Sequence, residues 1–136
     1  MPKKYILDTD TCIYWLKGDR NIEKKVLRVD LDNVFISVIT ECELHYGAYK
    51  STRIEHNLDV LKMLRKKIKT LQTSGEMAHL YGKIKAHMEK IGYSIDDADL
   101  MIAVITLSSN GILVTNNTRH YIRVPDLQIE NWRSLR

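Results

Sequence analysis

Apolar residues follow two alternating rhythms along this chain. Short solid runs come at Tyr5-Ile6-Leu7, at "VFISV" (34–38) and at "ILVT" (112–115), rich in β-branched and aromatic side chains. They predict strands over 4–8, 34–38 and 112–115. Elsewhere apolar positions recur every three or four residues. Ile54, Leu58, Leu61, Leu64 and Ile68 mark one helix, and Met77, Leu80, Tyr81, Ile84, Met88 and Ile91 mark another that Gly92 ends. Shorter helices are expected over 10–17, stopped by Gly18, over 21–29, and from Thr40 to about Tyr49. "ADLMIAVITLS" (98–108) is apolar all round, the pattern of a helix buried on every side. Residues 68–71 suit a short strand, and "QIENW" (128–132) suits a last, edge strand. Strands alternating with helices predict an α/β fold, with helices covering a central, mostly parallel sheet. Such sheets bind ligands beyond the carboxyl ends of their strands, near a switch in strand order. Function is therefore to be sought just after each strand.

Acids stand at those places. Asp8 directly follows the first strand, Glu43 lies early in the helix after the second, and Asp99 opens the all-apolar helix. Asn116 and Asn117 follow "ILVT". Each has a plain structural explanation. Thr40 and Glu43 fit a capping box, Asp96 and Asp99 share its spacing, and Asp10 or Thr11 suits an N-cap. Asp8 is harder to explain so. It ends an apolar strand, where a charge is partly buried and needs a partner, and no Arg or Lys stands nearby in sequence at a suggestive place. One divalent cation would answer the need of all three acids, and hard Mg²⁺ or Mn²⁺ prefers carboxylate oxygens. "LDTDT" (7–11) also opens a second possibility, phosphoryl transfer with Asp8 as nucleophile and Asp10 as general acid, as in haloacid-dehalogenase-like phosphatases. That chemistry also needs a lysine opening a later helix and an acidic pair closing a later strand. Asp96-Asp97 is such a pair, but no clear strand precedes it. A receiver-type domain needs an Asp after the middle strand and a Lys after the last, and "ISVITE" and "ILVTNN" supply neither. A non-catalytic α/β binding domain whose acids are all caps is the third alternative.

Length and composition narrow the partners. The chain has 136 residues, one domain over 1–136 with room for a core. No apolar run approaches the ~20 residues that cross a bilayer, and no secretory leader precedes the first strand, so a cytoplasmic protein without membrane association is expected. Cys12 and Cys42 lie in apolar segments without zinc-like spacing and are expected to be buried thiols. Twenty-one Lys and Arg against 17 acids give a net charge of +4, a mild pointer to a polyanion such as RNA or DNA. "KMLRKKIK" (62–69) holds the densest basic run, although any single lysine there reads as a solvated helix face. Arg119 and Arg123, just past the acids, are the candidates for phosphate contacts. The five histidines share no zinc or general-base spacing and read as surface or core residues. Tyr46 and Tyr49 read as core or dimer-facing, Trp15 as an interface residue, and Trp132 as the pin of the last strand.

Four stretches, "YILDTDTCIYWLKG", "ISVITECELHYGA", "DADLMIAVITLSSNGILVTNN" and "RVPDLQIENW", resemble in order and spacing the PIN-domain ribonucleases of the VapC toxin family, across nearly the whole chain. The resemblance implies a three-layer α/β/α PIN domain. It implies an acidic site of Asp8, Glu43 and Asp99 holding Mg²⁺ or Mn²⁺, with Asp8 and Asp99 as direct ligands. Asn117 stands where many relatives have a fourth acid, and Thr115 would help orient that shell and the substrate. It further implies a toxin that cleaves structured RNA, commonly tRNA. The expected partners are a VapB antitoxin that covers the site, promoter DNA reached only through that antitoxin, and a second copy in a homodimer within a larger complex. The chain departs from the family pattern at Asp10, Asp96 and Asp97, which are extra acids, and at Tyr121, where Phe is common.

Overall fold

The computed structural model describes residues 2–133. Five strands form one sheet: β1 (Tyr5–Leu7), β2 (Val34–Ser37), β3 (Lys69–Leu71), β4 (Ile112–Val114) and β5 (Ile129–Glu130), in the order β3-β2-β1-β4-β5. Every pairing is parallel, so the sheet is not just mostly but wholly parallel. Among the described residues seven α-helices connect the strands: α1 (Thr9–Leu16), α2 (Arg20–Val29), α3 (Val38–Lys50), α4 (Ile54–Lys67), α5 (Gly75–Lys90), α6 (Asp97–Ser108) and α7 (Thr118–Tyr121). Elements begin and end within a few residues of the sequence expectations. Gly18 and Gly92, at φ +94° and +73°, end α1 and α5 in a backbone region that side chains disfavour.

Alternation along each strand builds the three layers. Leu7, Val34, Ile36 and Val114 face one way, toward Cys12, Trp15, Ile22, Val26, Leu44, Leu61 and Leu64 of α1 to α4. Ile6 and Leu113 face the other, toward Met77, Ile84 and Met88 of α5, the apolar helix α6, and Tyr121. Residues 102–106 of α6 are all buried, as its unbroken apolar run predicts. Trp132 is fully buried against the Tyr5 ring and donates Nε1–H to Glu130, pinning the β5 edge as expected.

Two expectations from single residues fail. Trp15 is no interface residue. It is buried between α1 and α2 and donates its indole N–H to Glu23, because a ring this size ends most economically in the nearest core with its polar tip bonded. Cys42 lies exposed on the outer face of α3, where Tyr46 and Tyr49 are also exposed and so are not core. Cys12 is buried as expected, and burial, with the Asp8 charge nearby, pushes its thiol up to about 12.

Chain order in the sheet changes direction at β1. The chain runs outward through β2 and β3 and returns to lay β4 on the other side of β1. The crevice at the carboxyl ends of β1 and β4 is thus the topological switch point. At the opposite end of β4, Gly111 makes the tightest backbone approach. A Cβ there would collide with Ile6 Cδ1 and stand 3.2 Å from the Lys4 carbonyl oxygen. Gly111→Ala is expected to cost about 1–3 kcal/mol by overpacking, read as a lower midpoint in urea without a change in slope.

Candidate active site

Asp8 emerges where β1 ends. Its N–H still bonds the Val114 carbonyl at 3.0 Å, and its own side chain then opens α1, with the Oδ1 atom accepting from Thr11 N–H at 2.9 Å. Asp8, not Asp10 or Thr11, is the N-cap, because the strand hands over to the helix within one residue. The carboxylate is only 6% exposed. Burial raises its pKa above the usual carboxylate range. Hydrogen bonds from the Thr115 hydroxyl and from Thr11 pull the other way, and the Asp10 charge adds a further push upward. None of these influences is a cation. Thr115, fully buried, reaches Asp8 from the end of β4 and also accepts the Asn117 N–H at 2.9 Å.

Glu43 stands on α3, whose N-cap is Ser37, with its hydroxyl oxygen accepting the Thr40 N–H at 3.1 Å. The helix begins earlier than the sequence motif predicts, so Thr40 and Glu43 form no capping box. The Glu43 carboxylate instead takes a short hydrogen bond from the Thr9 hydroxyl. Asp99 is likewise no cap. Asp96 holds the N-cap position of α6, and no side chain there makes a cap hydrogen bond. The Asp99 carboxylate instead faces α7, where the His120 Nε2 atom lies 3.0 Å from its Oδ2 atom and the Tyr121 hydroxyl is hydrogen-bonded to it.

Tyr121 is hydrogen-bonded to Asp99 and feels the charges of the other two acids. Its hydroxyl is buried, and its pKa is raised, first by that burial and then by the charges of Asp99, Asp8 and Glu43. One phenol therefore lies within the field of all three carboxylates, which arrive from β1, α3 and α6. Sequence reading missed this residue, noting only a Tyr where Phe is common, and it set His120 aside with the other histidines. The available signal was a hydroxyl at an otherwise apolar position four residues after Asn117. Tyr93 was also missed. Its hydroxyl donates to the His120 carbonyl at 2.9 Å, and its ring carries the Arg123 guanidinium at 5.2 Å. Arg119 and Arg123 are exposed on this turn, and Asn117, also exposed, precedes α7.

The extra acids fall on the margin. Asp10 is exposed and touches the site through its charge on Asp8. Asp97 is paired at 2.8 Å with Lys85 and takes the Tyr81 hydroxyl, which holds its carboxyl below the usual range. Among the described residues no three Asp, Glu, His or Cys side chains close around a single point as a complete metal cage. Mg²⁺ does not need one, since it usually keeps several waters and takes one or two carboxylates. The donor set fits such an ion: the buried Asp8 carboxylate, which has no cation among the groups acting on it, with Asp99 bonded by Tyr121 and Glu43 bonded by Thr9.

Beside the acids a groove of about 450 Å³ runs between α1, α3 and α4, lined by Ile13, Leu16, Leu44, Val60 and Leu61, with Glu43 at its wall. Among the described residues no helix is long and apolar enough to cross a membrane.

Residues 5–127 match the model of the PIN domain family. The chain is 32% identical to ribonuclease VapC2 of Rickettsia felis over 94% of this chain and 97% of that protein. It is 34% identical to the tRNA(fMet)-specific endonuclease VapC of Salmonella typhimurium over 95% and 98%. The crystal structure of DNA-bound VapBC from Salmonella typhimurium superposes with a TM-score of 0.90 at 34% identity, covering 96% of this chain and 98% of that one.

Proposed function

The chain belongs to the PIN-domain family, and within it to the VapC ribonucleases, and from that premise we propose that it is a toxin that cleaves structured RNA, tRNA foremost, at the Asp8–Glu43–Asp99 site with Mg²⁺ or Mn²⁺. The observation that supports the reading best is the buried Asp8 carboxylate at the switch point of the sheet, held by Thr11 and Thr115 with no cation among the groups acting on it. Asp8 and Asp99 hold the cation, with Glu43 beside them. The ion supplies Lewis-acid stabilisation of phosphoryl charge and acidifies water. Glu43, fixed by Thr9, orients the attacking water and takes its proton as the water oxygen bonds to phosphorus, the P–O ester bond breaks, and the leaving oxygen takes a proton from solvent. Thr115 and Tyr121 hold Asp8 and Asp99 by hydrogen bonds. Asn117 adds a neutral contact to water in the shell, and Arg119 and Arg123 meet flanking phosphates.

The partner proposed is a VapB-type antitoxin, in line with the VapBC complexes among the structural relatives. Its apolar segment would fill the groove that ends at Glu43 and set a basic residue among the acids. DNA would then be met through the antitoxin, and the toxin would pair as a homodimer. Against the phosphatase alternative, no cation among the described residues is found acting on Asp8, and Asp10 is exposed.

The test is cleavage of total cellular RNA by antitoxin-free protein, followed by sequencing of the ends. A discrete cut in one tRNA class is expected. Failure of a folded preparation to cut, together with hydrolysis of a phosphate monoester that Asp10→Ala abolishes, would return the site to phosphoryl transfer.

A further inference from the structure

We propose that Thr9 is a positioning residue: its hydroxyl holds the Glu43 carboxylate against the first turn of α1, beside Asp8, and is itself set by the buried Thr40 hydroxyl. The proposal rests on the nuclease reading for its effect on rate, but not for its geometry.

Thr9 is half-buried at the first position of α1, one residue after Asp8. Its Oγ1 atom has two polar neighbours, the Glu43 Oε1 atom and the Thr40 Oγ1 atom at 3.1 Å. A hydroxyl has one proton to give, and an ionised carboxylate can only accept. The Thr9 proton is therefore committed to Glu43, and the contact with Thr40 must run the other way, with Thr40 donating to Thr9. Thr40 and Ser37 are fully buried, so water is not there to supply a substitute. Ser37 Oγ accepts the Thr40 N–H at 3.1 Å and lies 3.5 Å from the Thr40 hydroxyl. Direction is therefore fixed from Thr40 through Thr9 to Glu43, while Ser37 holds Thr40 through its backbone N–H.

The consequence is geometric. Glu43 has three rotatable bonds and sits on the wall of an open groove. Without a partner its carboxylate would sample several rotamers. Thr9 removes that freedom and ties Glu43, on α3, to the same first turn of α1 that carries Asp8. Packing alone would be served by any side chain of this shape, and a hydroxyl would not be required.

Thr9→Val keeps the shape and removes the hydroxyl, while Thr9→Ser keeps the hydroxyl and removes a methyl. Expected for Thr9→Val is a drop in kcat of about 10–100-fold, the usual effect of losing a partner that orients a site carboxylate, with KM for RNA nearly unchanged. Thr9→Ser should recover most of the rate. In the metal-free protein the Glu43 side-chain carboxyl ¹³C resonance should move in Thr9→Val and return in Thr9→Ser. Thr9→Ala provides the same contrast if the valine variant fails to fold. The inference is overturned if Thr9→Val cleaves like the parent while Glu43→Gln is inactive, if the serine variant is as impaired as the valine one, or if the Glu43 resonance ignores both. A parent that cleaves no RNA but whose Glu43 resonance follows Thr9 would overturn the nuclease reading and leave the positioning role standing.

Discussion

Asp8→Asn is expected to lose RNA cleavage by about 10³-fold or more, well beyond the 10–100-fold typical of removing a supporting partner of a site carboxylate, while folding as well as the parent. Asparagine is as good an N-cap as aspartate, so its side-chain oxygen can keep accepting the Thr11 N–H that Asp8 now takes at 2.9 Å. What it cannot do is carry the negative charge that a hard cation seeks. Asp10→Ala is the necessary contrast, because the two acids share one loop and two chemistries. Asp10 is exposed and reaches Asp8 through its charge alone, so its loss should leave most of the rate. The measurement is initial cleavage rate on one tRNA at saturating Mg²⁺ for parent and both variants, with circular dichroism as the control for fold. Equal inactivity of the two variants would sink the assignment of Asp8 as ligand and Asp10 as bystander.

The acids at the strand ends were legible in the sequence because a strand is a short apolar run and its last residue is fixed by where the run stops. Asp8 follows Leu7, the last residue of the apolar run and of β1. Helix α6 was legible in the same way, since only a helix buried on every side tolerates a run as apolar as residues 100–105. Caps were not. Ser37 lies in the strand by composition and at the helix start by geometry, and T-x-x-E at Thr40 matched the capping pattern better than the residues that do the capping. The side chains around the acids were least legible of all. Tyr121 reaches Asp99 from a four-residue helix 22 positions later, and Thr9 reaches Glu43 across 34. Contacts at that separation depend on which strands pair, β2 beside β1 in the case of Thr9 and Glu43, which no local pattern encodes. Burial of individual residues was hard to read where a large side chain had two options: Trp15 went to the core, while exposure of Tyr46 and Tyr49 leaves the dimer-facing alternative of the two expected for them.

Chelation is the second large effect expected. With EDTA the parent should lose cleavage altogether and regain it with Mn²⁺ or Mg²⁺, and its stability should record the same event without RNA. In the metal-free protein Asp8 is a buried carboxylate whose pKa is raised by desolvation. Between the ordinary carboxylate range and that raised value the native state keeps a proton that the unfolded chain has lost. Stability therefore falls as pH rises through this window and stays depressed at neutral pH. Asp8→Asn has no such penalty, so in EDTA it should melt a few degrees above the parent at neutral pH, and the gap should close on acidification. Adding Mn²⁺ should reverse the order. A ligand that binds only the native state adds about 2.7 kcal/mol at a hundred times its Kd, and Asp8→Asn has lost a ligand with which to gain it. Thermal melts of both proteins, with EDTA and with Mn²⁺, at neutral and mildly acidic pH, decide the matter. A parent that melts at the same temperature in EDTA and in saturating Mn²⁺ would mean that these carboxylates hold no cation, and the loss of charge at Asp8 would then need another explanation.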